Sequence, residues 1–218
     1  MKIFVIIPGY NEELYLDRVL AKVNKYTNSV IFVDDGSTDG SAKIAKKYTK
    51  HVLEHQINLG KGAAMLTGAE YAFRKLKADA IIFMDSDDQH DPAHLPEFEK
   101  RLRKKHIVFG VRNLGPDMPM ARFLGNKMAS VLLNLMFGAY IADIPSGYKG
   151  MSRKAFYALK WKSSGYEVET EIAVRVAQQK IKFDSIAIRS IYHDRDKGFS
   201  LLDTPHIVRL LIQWRLGL

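Results

Sequence analysis

The densest group of side chains capable of chemistry is six consecutive residues: Asp85, Ser86, Asp87, Asp88, Gln89 and His90. They follow the apolar run 80–84, which predicts a buried strand that ends where a loop begins. Three carboxylates within four residues repel one another, and a divalent cation between them would relieve that repulsion. Oxygen ligands at alternating positions suit Mg²⁺ or Mn²⁺, and in an extended segment Asp85, Asp87 and Gln89 point to the same side. The pattern predicts a metal site on these three residues; taken alone, it also fits a solvated acidic turn.

The first half of the chain alternates apolar strands with helical stretches. The predicted strands, each followed by a polar loop, are 2–7, 30–33, 52–53 and 80–84. The predicted helices between them are 13–26, 41–48 and 63–76. This alternation is typical of an α/β protein with a Rossmann-like, mostly parallel sheet flanked by helices. Because ligands bind such sheets beyond the carboxyl ends of the strands, we expect three loops to meet there: 8–12, 34–40 and 85–90.

The second half is less regular. Strands are predicted at 107–111 and 186–192, and residues 143–148 are predicted to form a turn. The predicted helices are 122–137, 153–159, 166–179 and a last one that starts at 203–205. Since no repeat or linker interrupts the chain, we expect a single domain over 1–218.

Composition narrows the class of protein. At 218 residues, 47% hydrophobic and 26% charged, the sequence is that of a globular protein with one sizeable core. The absence of cysteine excludes disulfides, thiol nucleophiles and zinc–thiolate sites. We find no signal peptide and no apolar run long enough to span a bilayer, so we expect a cytoplasmic protein. The net charge of +9 favours anionic partners, although no basic stripe interleaved with aromatics indicates nucleic acid.

Several segments form a recognisable series along the chain: 8–12, 33–40, 58–62, 85–90 with Pro92, Arg112, Arg122 with Asn126, Asp143 with Ser146–Gly147, and 165–171. In this order they closely resemble the family 2 glycosyltransferases of the GT-A fold. The resemblance is to polyprenyl-phosphate sugar synthases in particular, of which dolichyl-phosphate mannose and glucose synthases are examples. It covers nearly the whole chain.

The resemblance implies a role for each matching residue. The donor, a GDP- or UDP-sugar, would contact Pro8, Tyr10, Glu12, Asp35, Lys61, Asp85, Ser86, Asp87 and Arg195. Asp85, Asp87 and Gln89 would hold Mg²⁺ or Mn²⁺. Arg112 and Arg122 would receive the phosphate of a polyprenyl (dolichyl) acceptor. The implied catalytic set is Asp85, Asp87, Arg112, Arg122, Asp143 and Glu169. Residues 1–110 would then form the donor and metal half, and 111–218 the acceptor half.

The implied reaction is transfer of a hexose with inversion of configuration. An acceptor phosphate is already ionised, so it needs positioning rather than deprotonation, and the planar fork of arginine suits that task. A sugar hydroxyl, as in glycan or polysaccharide assembly, would instead need a carboxylate base; Asp143 and Glu169 are the candidates, and this alternative stays open. A sugar-phosphate nucleotidyltransferase is disfavoured, because 8–12 is not a glycine-rich basic loop. One departure from the family pattern is Leu201, where a lysine is common.

Other features have simpler explanations. Glu167, Glu169 and Glu171 are expected to include exposed residues that favour the amino end of a helix, and Tyr166 is expected to pack. The last helix most simply packs its apolar face on the domain. A sharper hypothesis places five of its residues at a bilayer surface, which would make the protein peripheral on the cytoplasmic face of a membrane: Leu211, Trp214, Leu218, Arg209 and Arg215.

Overall fold

The computed structural model describes residues 1–112, 120–189 and 204–216; for 120–122 and 204–207 it describes the backbone only. In these ranges the strands are β1 (Ile3–Gly9), β2 (Val30–Asp34), β3 (Val52–Glu54), β4 (Ala80–Phe83), β5 (Ile107–Arg112), β6 (Lys149–Ser152) and β7 (Phe183–Ile188). The α-helices there are α1 (Glu13–Val23), α2 (Ser41–Ala45), α3 (Lys61–Glu70), α4 (Leu95–Leu102), α5 (Met120–Phe137), α6 (Arg153–Leu159), α7 (Val168–Gln178) and α8 (Thr204–Leu216). A π-helical turn, Tyr71–Lys75, continues α3, and a 3₁₀ turn, Pro92–His94, precedes α4.

The strands form a single sheet in the order β3-β2-β1-β4-β6-β5-β7. β1 lies parallel to both β2 and β4, with Gly9 opposite Asp34 and Ile6 opposite Phe83. This register brings the carboxyl ends of three strands to one edge, and with them the loops 8–12, 34–40 and 85–90. The predicted mostly parallel α/β sheet is confirmed.

Both faces of the sheet are covered, which explains why its central strands are apolar at consecutive positions. Val5 and Ile7 of β1 pack in one core with α1, α2 and α4, whereas Phe4 and Ile6 pack in the other with α3, α5, α6 and α7. The result is a three-layer α/β/α arrangement.

Two elements, one in each half of the chain, were not predicted. β6 lies antiparallel between β4 and β5, with Lys149 opposite both Phe83 and Phe109. Its four residues include a lysine and a glycine, so they lack the apolar run that marks the other inner strands. Helix α4 was also missed, although Leu95, Phe98 and Leu102 give it a buried stripe. The strand predicted at 186–192 begins earlier, at Phe183, and ends at Ile188.

The bilayer hypothesis for α8 is wrong for two of its apolar residues, whereas Arg209 and Arg215 are exposed. Leu211 is fully buried, and Trp214 packs against the same core, so neither side chain faces a bilayer. Leu218 lies outside the described residues. None of the described helices has the length and apolar character needed to cross a membrane.

Candidate active site

A cleft of about 250 Å³ opens at the edge where β1, β2 and β4 end. Its lining includes every donor-binding residue predicted within the described part of the chain: Pro8, Tyr10, Glu12, Asp35, Lys61, Asp85, Ser86 and Asp87. Arg195, the remaining predicted contact, lies outside the described residues. Asn58, Gly165 and Tyr166 complete one wall. Tyr166 is 80% exposed and lines the cleft, so the expectation that it packs is wrong.

Two of the cleft loops are fastened to each other by side-chain-to-backbone hydrogen bonds. The amide of Asn11 donates to Ser37 Oγ at 2.9 Å, and Asn11 Oδ1 accepts from the amide of Thr38 at 2.9 Å. Glu13 Oε2 accepts from the amide of Gly40 at 2.9 Å. Asn11 has a positive φ of 54°, which asparagine tolerates better than most residues. These contacts explain why turn-forming residues fill both loops.

Asp35 organises the loop that leads into α3. Its buried carboxylate contacts His55 Nδ1 at 2.7 Å and accepts from the amides of Leu59 at 3.0 Å and Gly60 at 2.8 Å. A carboxylate has about four lone-pair sites, so one remains for a donor group in the cleft. Sequence reasoning missed His55, which nothing in the local pattern distinguishes from a surface histidine.

The acidic turn is not extended, contrary to the premise on which the ligand set was predicted. Asp88 has a positive φ of 60°, which reverses the chain and turns its own side chain away from the cleft. Asp85 and Asp87 line the cleft, whereas Gln89 is not among its lining residues. The three-residue ligand set therefore stays a prediction, of which the structure brings two members together.

A chain of alternating charges extends from Asp85 into the core. Lys61 Nζ lies 2.7 Å from Asp85 Oδ1 and 3.0 Å from Glu169 Oε1. Glu169 in turn contacts the ammonium of Lys149, which is fully buried in the sheet. Glu169 and Glu171 are buried and Glu167 is half-buried, so the expectation that these three acids include exposed residues is wrong. Lys149 escaped sequence analysis because it lies in the unpredicted strand β6.

The contacts outweigh burial in setting the pKa of Lys61 and of Asp85, but not that of Lys149. Burial acts to lower the pKa of Lys61, but the carboxylates of Asp85 and Glu169 raise it above its ordinary value. Burial acts to raise the pKa of Asp85, yet Lys61 holds it well below the usual range. For Lys149 burial prevails and lowers the pKa despite Glu169.

Asp87 shows the opposite balance. Burial and the neighbouring charge of Asp85 raise the pKa of Asp87 above its ordinary value. The two carboxylates thus repel each other in the cleft, and Lys61 does not remove that repulsion. Among the described residues, no three histidines, cysteines or acids are grouped to hold a metal ion. Mg²⁺, however, is commonly held by one or two carboxylates together with substrate phosphates and water, so Asp85 and Asp87 fit such an ion.

Arg112, one of the two predicted acceptor residues, belongs to a second cluster. Arg112 clasps Asp143 with two bonds of 2.7 Å, from Nε to Oδ2 and from Nη2 to Oδ1. Asn126 donates to Asp143 Oδ1 at a longer 3.4 Å. Ser146 is buried, and its Oγ has no hydrogen-bond partner among the described residues. The side chain of Arg122 lies outside what the structure describes.

Gly147 connects the two clusters. A Cβ atom at this position would overlap the carboxyl group of Asp85, so the chain passes the acidic turn at a distance that only glycine permits. Close by, His90 is buried and stacked on Tyr148 with ring centroids 5.0 Å apart, and its Nδ1 accepts from the amide of Asp85 at 3.1 Å. Burial lowers the pKa of His90, so this ring favours the neutral form.

The family model of glycosyl transferase family 2 matches residues 4–160 of the chain. The chain belongs to this family. It is 28% identical to UDP-N-acetylglucosamine–dolichyl-phosphate N-acetylglucosaminyltransferase of Methanococcus voltae, with 99% of the chain and 96% of that protein covered. It is 26% identical to polyprenol monophosphomannose synthase of Mycolicibacterium smegmatis, with 93% and 82% covered. The chain is thus a family 2 glycosyltransferase that resembles the polyprenyl-phosphate type.

Solved structures agree on the fold. Glucosyl-3-phosphoglycerate synthase from Mycobacterium tuberculosis, in complex with Mn²⁺, UDP and phosphoglyceric acid, matches with a TM-score of 0.74 at 19% identity. The match covers 100% of this chain and 79% of that one. Another structure of the same enzyme contains Mg²⁺ and UDP. The expected GT-A fold is confirmed.

Proposed function

We propose that this glycosyltransferase moves a hexose from a GDP- or UDP-sugar to a polyprenyl phosphate, with inversion of configuration. The observation that favours a phosphate acceptor is that both candidate bases are held in ion pairs. Asp143 is clasped by Arg112, and Glu169 is held between Lys61 and Lys149. Neither carboxylate is free to take a proton from a sugar hydroxyl, whereas an acceptor phosphate requires no base.

The donor half of the proposal rests on the cleft. Tyr10 is exposed at its rim and offers a ring face to a nucleobase, and Asp35 retains one acceptor site for a base N–H. Asp85 and Asp87, with Gln89 as a predicted third ligand, would hold Mg²⁺ or Mn²⁺. Such an ion supplies Lewis-acid neutralisation of the negative charge that develops on the departing diphosphate.

Lys61 and Arg112 carry the charges that position the reactants. The ammonium of Lys61 lies on the cleft wall between two carboxylates, where a diphosphate oxygen can reach it. Arg112 would receive the acceptor phosphate, sharing its fork with Asp143, and Arg122 remains the predicted second contact. Because the phosphate oxygen is already a nucleophile, holding it on the far side of the anomeric carbon from the diphosphate gives inversion.

The two halves of the chain divide this work. Residues 1–110 would bind the donor and the metal, and residues 111–218 the acceptor, within one domain. The charge network crosses this boundary, since Lys149 and Glu169 of the second half support Lys61 and Asp85 of the first.

A lipid acceptor implies contact with a membrane, and α5 supports peripheral binding at its cytoplasmic face. Ala129 and Leu133 of this helix are buried, yet its opposite side exposes an apolar stripe: Leu124, Met128, Val131 and Leu135. Their spacing of four, three and four residues places them on one face. Neither α5 nor α8 contains an acidic residue, and both carry cations, including Lys127 and Arg209. An anionic bilayer surface therefore fits this side of the molecule.

A transfer assay tests the proposal. Labelled UDP-glucose, UDP-N-acetylglucosamine and GDP-mannose are each incubated with Mn²⁺ and either a polyprenyl phosphate or oligosaccharides. We expect label in the lipid with one donor, loss of transfer in Asp85→Asn, and unchanged transfer in Asp184→Asn, which alters an ion pair with Arg101. Label only in the oligosaccharide would establish a hydroxyl acceptor instead. Pyrophosphate release from a nucleoside triphosphate and a sugar phosphate would establish nucleotidyl transfer.

A further inference from the structure

The third acid of the acidic turn, Asp88, takes no part in the cleft. Its side chain is 2% exposed and points to the opposite side of the turn, toward α1. There Asp88 Oδ1 lies 2.6 Å from Lys22 Nζ, and Asp88 Oδ2 lies 3.4 Å from Arg18 Nη1. Lys22 and Arg18 are four residues apart, so both project from one face of α1. This carboxylate is therefore tied to a neighbouring helix.

The backbone at Asp88 has an uncommon conformation. A non-glycine residue at φ 60° is uncommon, although aspartate is among the residues that adopt this conformation. Strained conformations persist where surrounding contacts hold them. Asp87 precedes Asp88 directly and Asp85 stands three residues before it, so a change in the turn at Asp88 would move both carboxylates that face the cleft.

We propose that Asp88 is a positioning residue, whose ion pairs with Lys22 and Arg18 fasten the acidic turn to α1 and thereby set the separation of the Asp85 and Asp87 carboxylates for a divalent cation. This inference rests on the proposed function, because it presupposes that these two residues hold the ion. Groups that orient metal ligands from outside the ligand set commonly change metal affinity by about 10- to 100-fold when altered.

The direction in which Lys22→Gln changes metal affinity distinguishes a positioning role from simple electrostatic repulsion. Lys22 places a positive charge behind an acidic turn that would bind a cation. If charge alone mattered, Lys22→Gln would remove a repulsion and tighten metal binding. If Lys22 acts through Asp88, the same substitution releases the turn and weakens binding.

The experiment measures Mn²⁺ affinity by the electron paramagnetic resonance signal of free Mn²⁺, with and without UDP or GDP. We expect Asp88→Asn and Lys22→Gln each to weaken Mn²⁺ binding about tenfold. The double variant should be no weaker than Asp88→Asn, since both changes break one contact. In the transfer assay the Mn²⁺ concentration for half-maximal rate should rise, while the rate at saturating Mn²⁺ stays near that of the parent.

Matched controls break ion pairs of the same chemistry elsewhere. Lys46→Gln removes a surface pair with Glu54, and Asp184→Asn alters the pair with Arg101; both should bind Mn²⁺ like the parent. If Asp88→Asn fails to fold, Lys22→Gln carries the test alone, because the Lys22 side chain is 35% exposed.

The outcomes separate this inference from the proposed function. Parent-like or tighter Mn²⁺ binding by Lys22→Gln overturns the positioning role and leaves the transferase proposal intact. A parent chain that binds no Mn²⁺, even with UDP or GDP present, overturns both.

Discussion

Lys149 is an unusual residue to find in the middle of a sheet. Its ammonium is fully buried, lies 5.8 Å from the centre of the Phe109 ring and is neutralised by Glu169. Glu169 in turn contacts Lys61, which contacts Asp85. Because Lys149 neutralises part of the charge of Glu169, it affects how strongly Lys61 is drawn to Asp85. The electrostatics of the cleft therefore depend on a residue that does not line it.

Replacing Lys149 tests this dependence. We expect Lys149→Met to lower the free energy of unfolding by about 3 kcal/mol, because the buried carboxylate of Glu169 then keeps only the ammonium of Lys61, which it shares with Asp85. Lys149→Met/Glu169→Gln should recover part of the loss, since the under-neutralised carboxylate is gone. Urea titration at neutral pH measures both.

Lys46→Met is the matched control, because it removes a surface ion pair worth less than about 1 kcal/mol. If Lys149→Met is as stable as Lys46→Met, the buried pair does not stabilise the fold more than a surface pair does, and the prediction is wrong.

At the scale of single residues, the sequence predicted which residues lie at the cleft better than it predicted where their side chains point. Asp85 and Asp87 were correctly expected at a cleft, because acids after a buried strand lie at the binding edge of a parallel sheet. The direction of Asp88 was not predictable, since it follows from one positive φ that aspartate adopts only in context. The pairing of Glu169 with Lys149 could not be predicted either, because the two residues are 20 positions apart and lie in different elements.

At the scale of elements, the turn before β6 sets how closely the two halves of the site approach. Gly147→Ala would place a methyl group against the Asp85 carboxyl, which can move aside at little cost in stability. We therefore expect near-parent thermal stability but at least tenfold weaker Mn²⁺ binding, since the displaced carboxylate is a proposed ligand.

Gly138→Ala is the control for Gly147→Ala, because it should lower stability without changing Mn²⁺ binding. Gly138 has a φ of +74° and open space around it, so alanine should cost about 1 kcal/mol of stability and leave Mn²⁺ binding unchanged. Equal effects of the two substitutions on Mn²⁺ binding would contradict the role of Gly147.

The first turn of α7 carries a second buried acid. Glu171 accepts from the amides of Lys162 at 3.0 Å and Ser163 at 2.7 Å, and from Arg175 Nε at 2.7 Å. Burial acts to raise the pKa of Glu171, but these hydrogen bonds prevail and lower it from its ordinary value of 4.5. The ionised form is therefore the one that the folded chain stabilises.

This shift predicts a pH-dependent difference between the parent and Glu171→Gln. A lowered folded-state pKa contributes stability that is present above the unfolded pKa and is lost as pH falls through the folded one. At pH 7 we expect Glu171→Gln to be less stable by about 2 kcal/mol, as for hydrogen bonds to a charged group. The difference should shrink below about pH 4.5 in urea titrations, and a difference independent of pH would contradict the assignment.

Which elements were predictable follows from their local patterns. Helix α6 was predicted with its observed bounds, Arg153–Leu159, and in the structure Ser152 caps it by accepting from the amide of Ala155. Strands β1, β2 and β4 were predicted because strands covered on both faces are apolar throughout. β6 has no such signature: its place between β4 and β5 comes from pairing partners 40 or more residues away.

At the scale of the molecule, α5 is apolar on two opposite faces, and the chain carries a net charge of +9. A helix that is apolar all round is normally buried on all sides. On the buried side of the same helix, Asn126 donates to Asp143 of the proposed acceptor phosphate site. Helix α5 therefore lies between that site and the stripe that is proposed to face the bilayer.

Vesicle binding tests this arrangement. Leu124→Gln/Leu135→Gln removes two exposed leucines from the stripe without touching the core. Because burying a leucine is worth about 1.5–3 kcal/mol, and insertion at an interface is incomplete, we expect at least tenfold weaker co-sedimentation with anionic vesicles. Leu14 on α1, across the sheet, is about as exposed as Leu135, and Leu14→Gln should bind like the parent. Parent-like vesicle binding by the double variant would contradict the membrane role of the stripe. If the parent protein is a dimer and the double variant is a monomer, the stripe is a dimer interface instead.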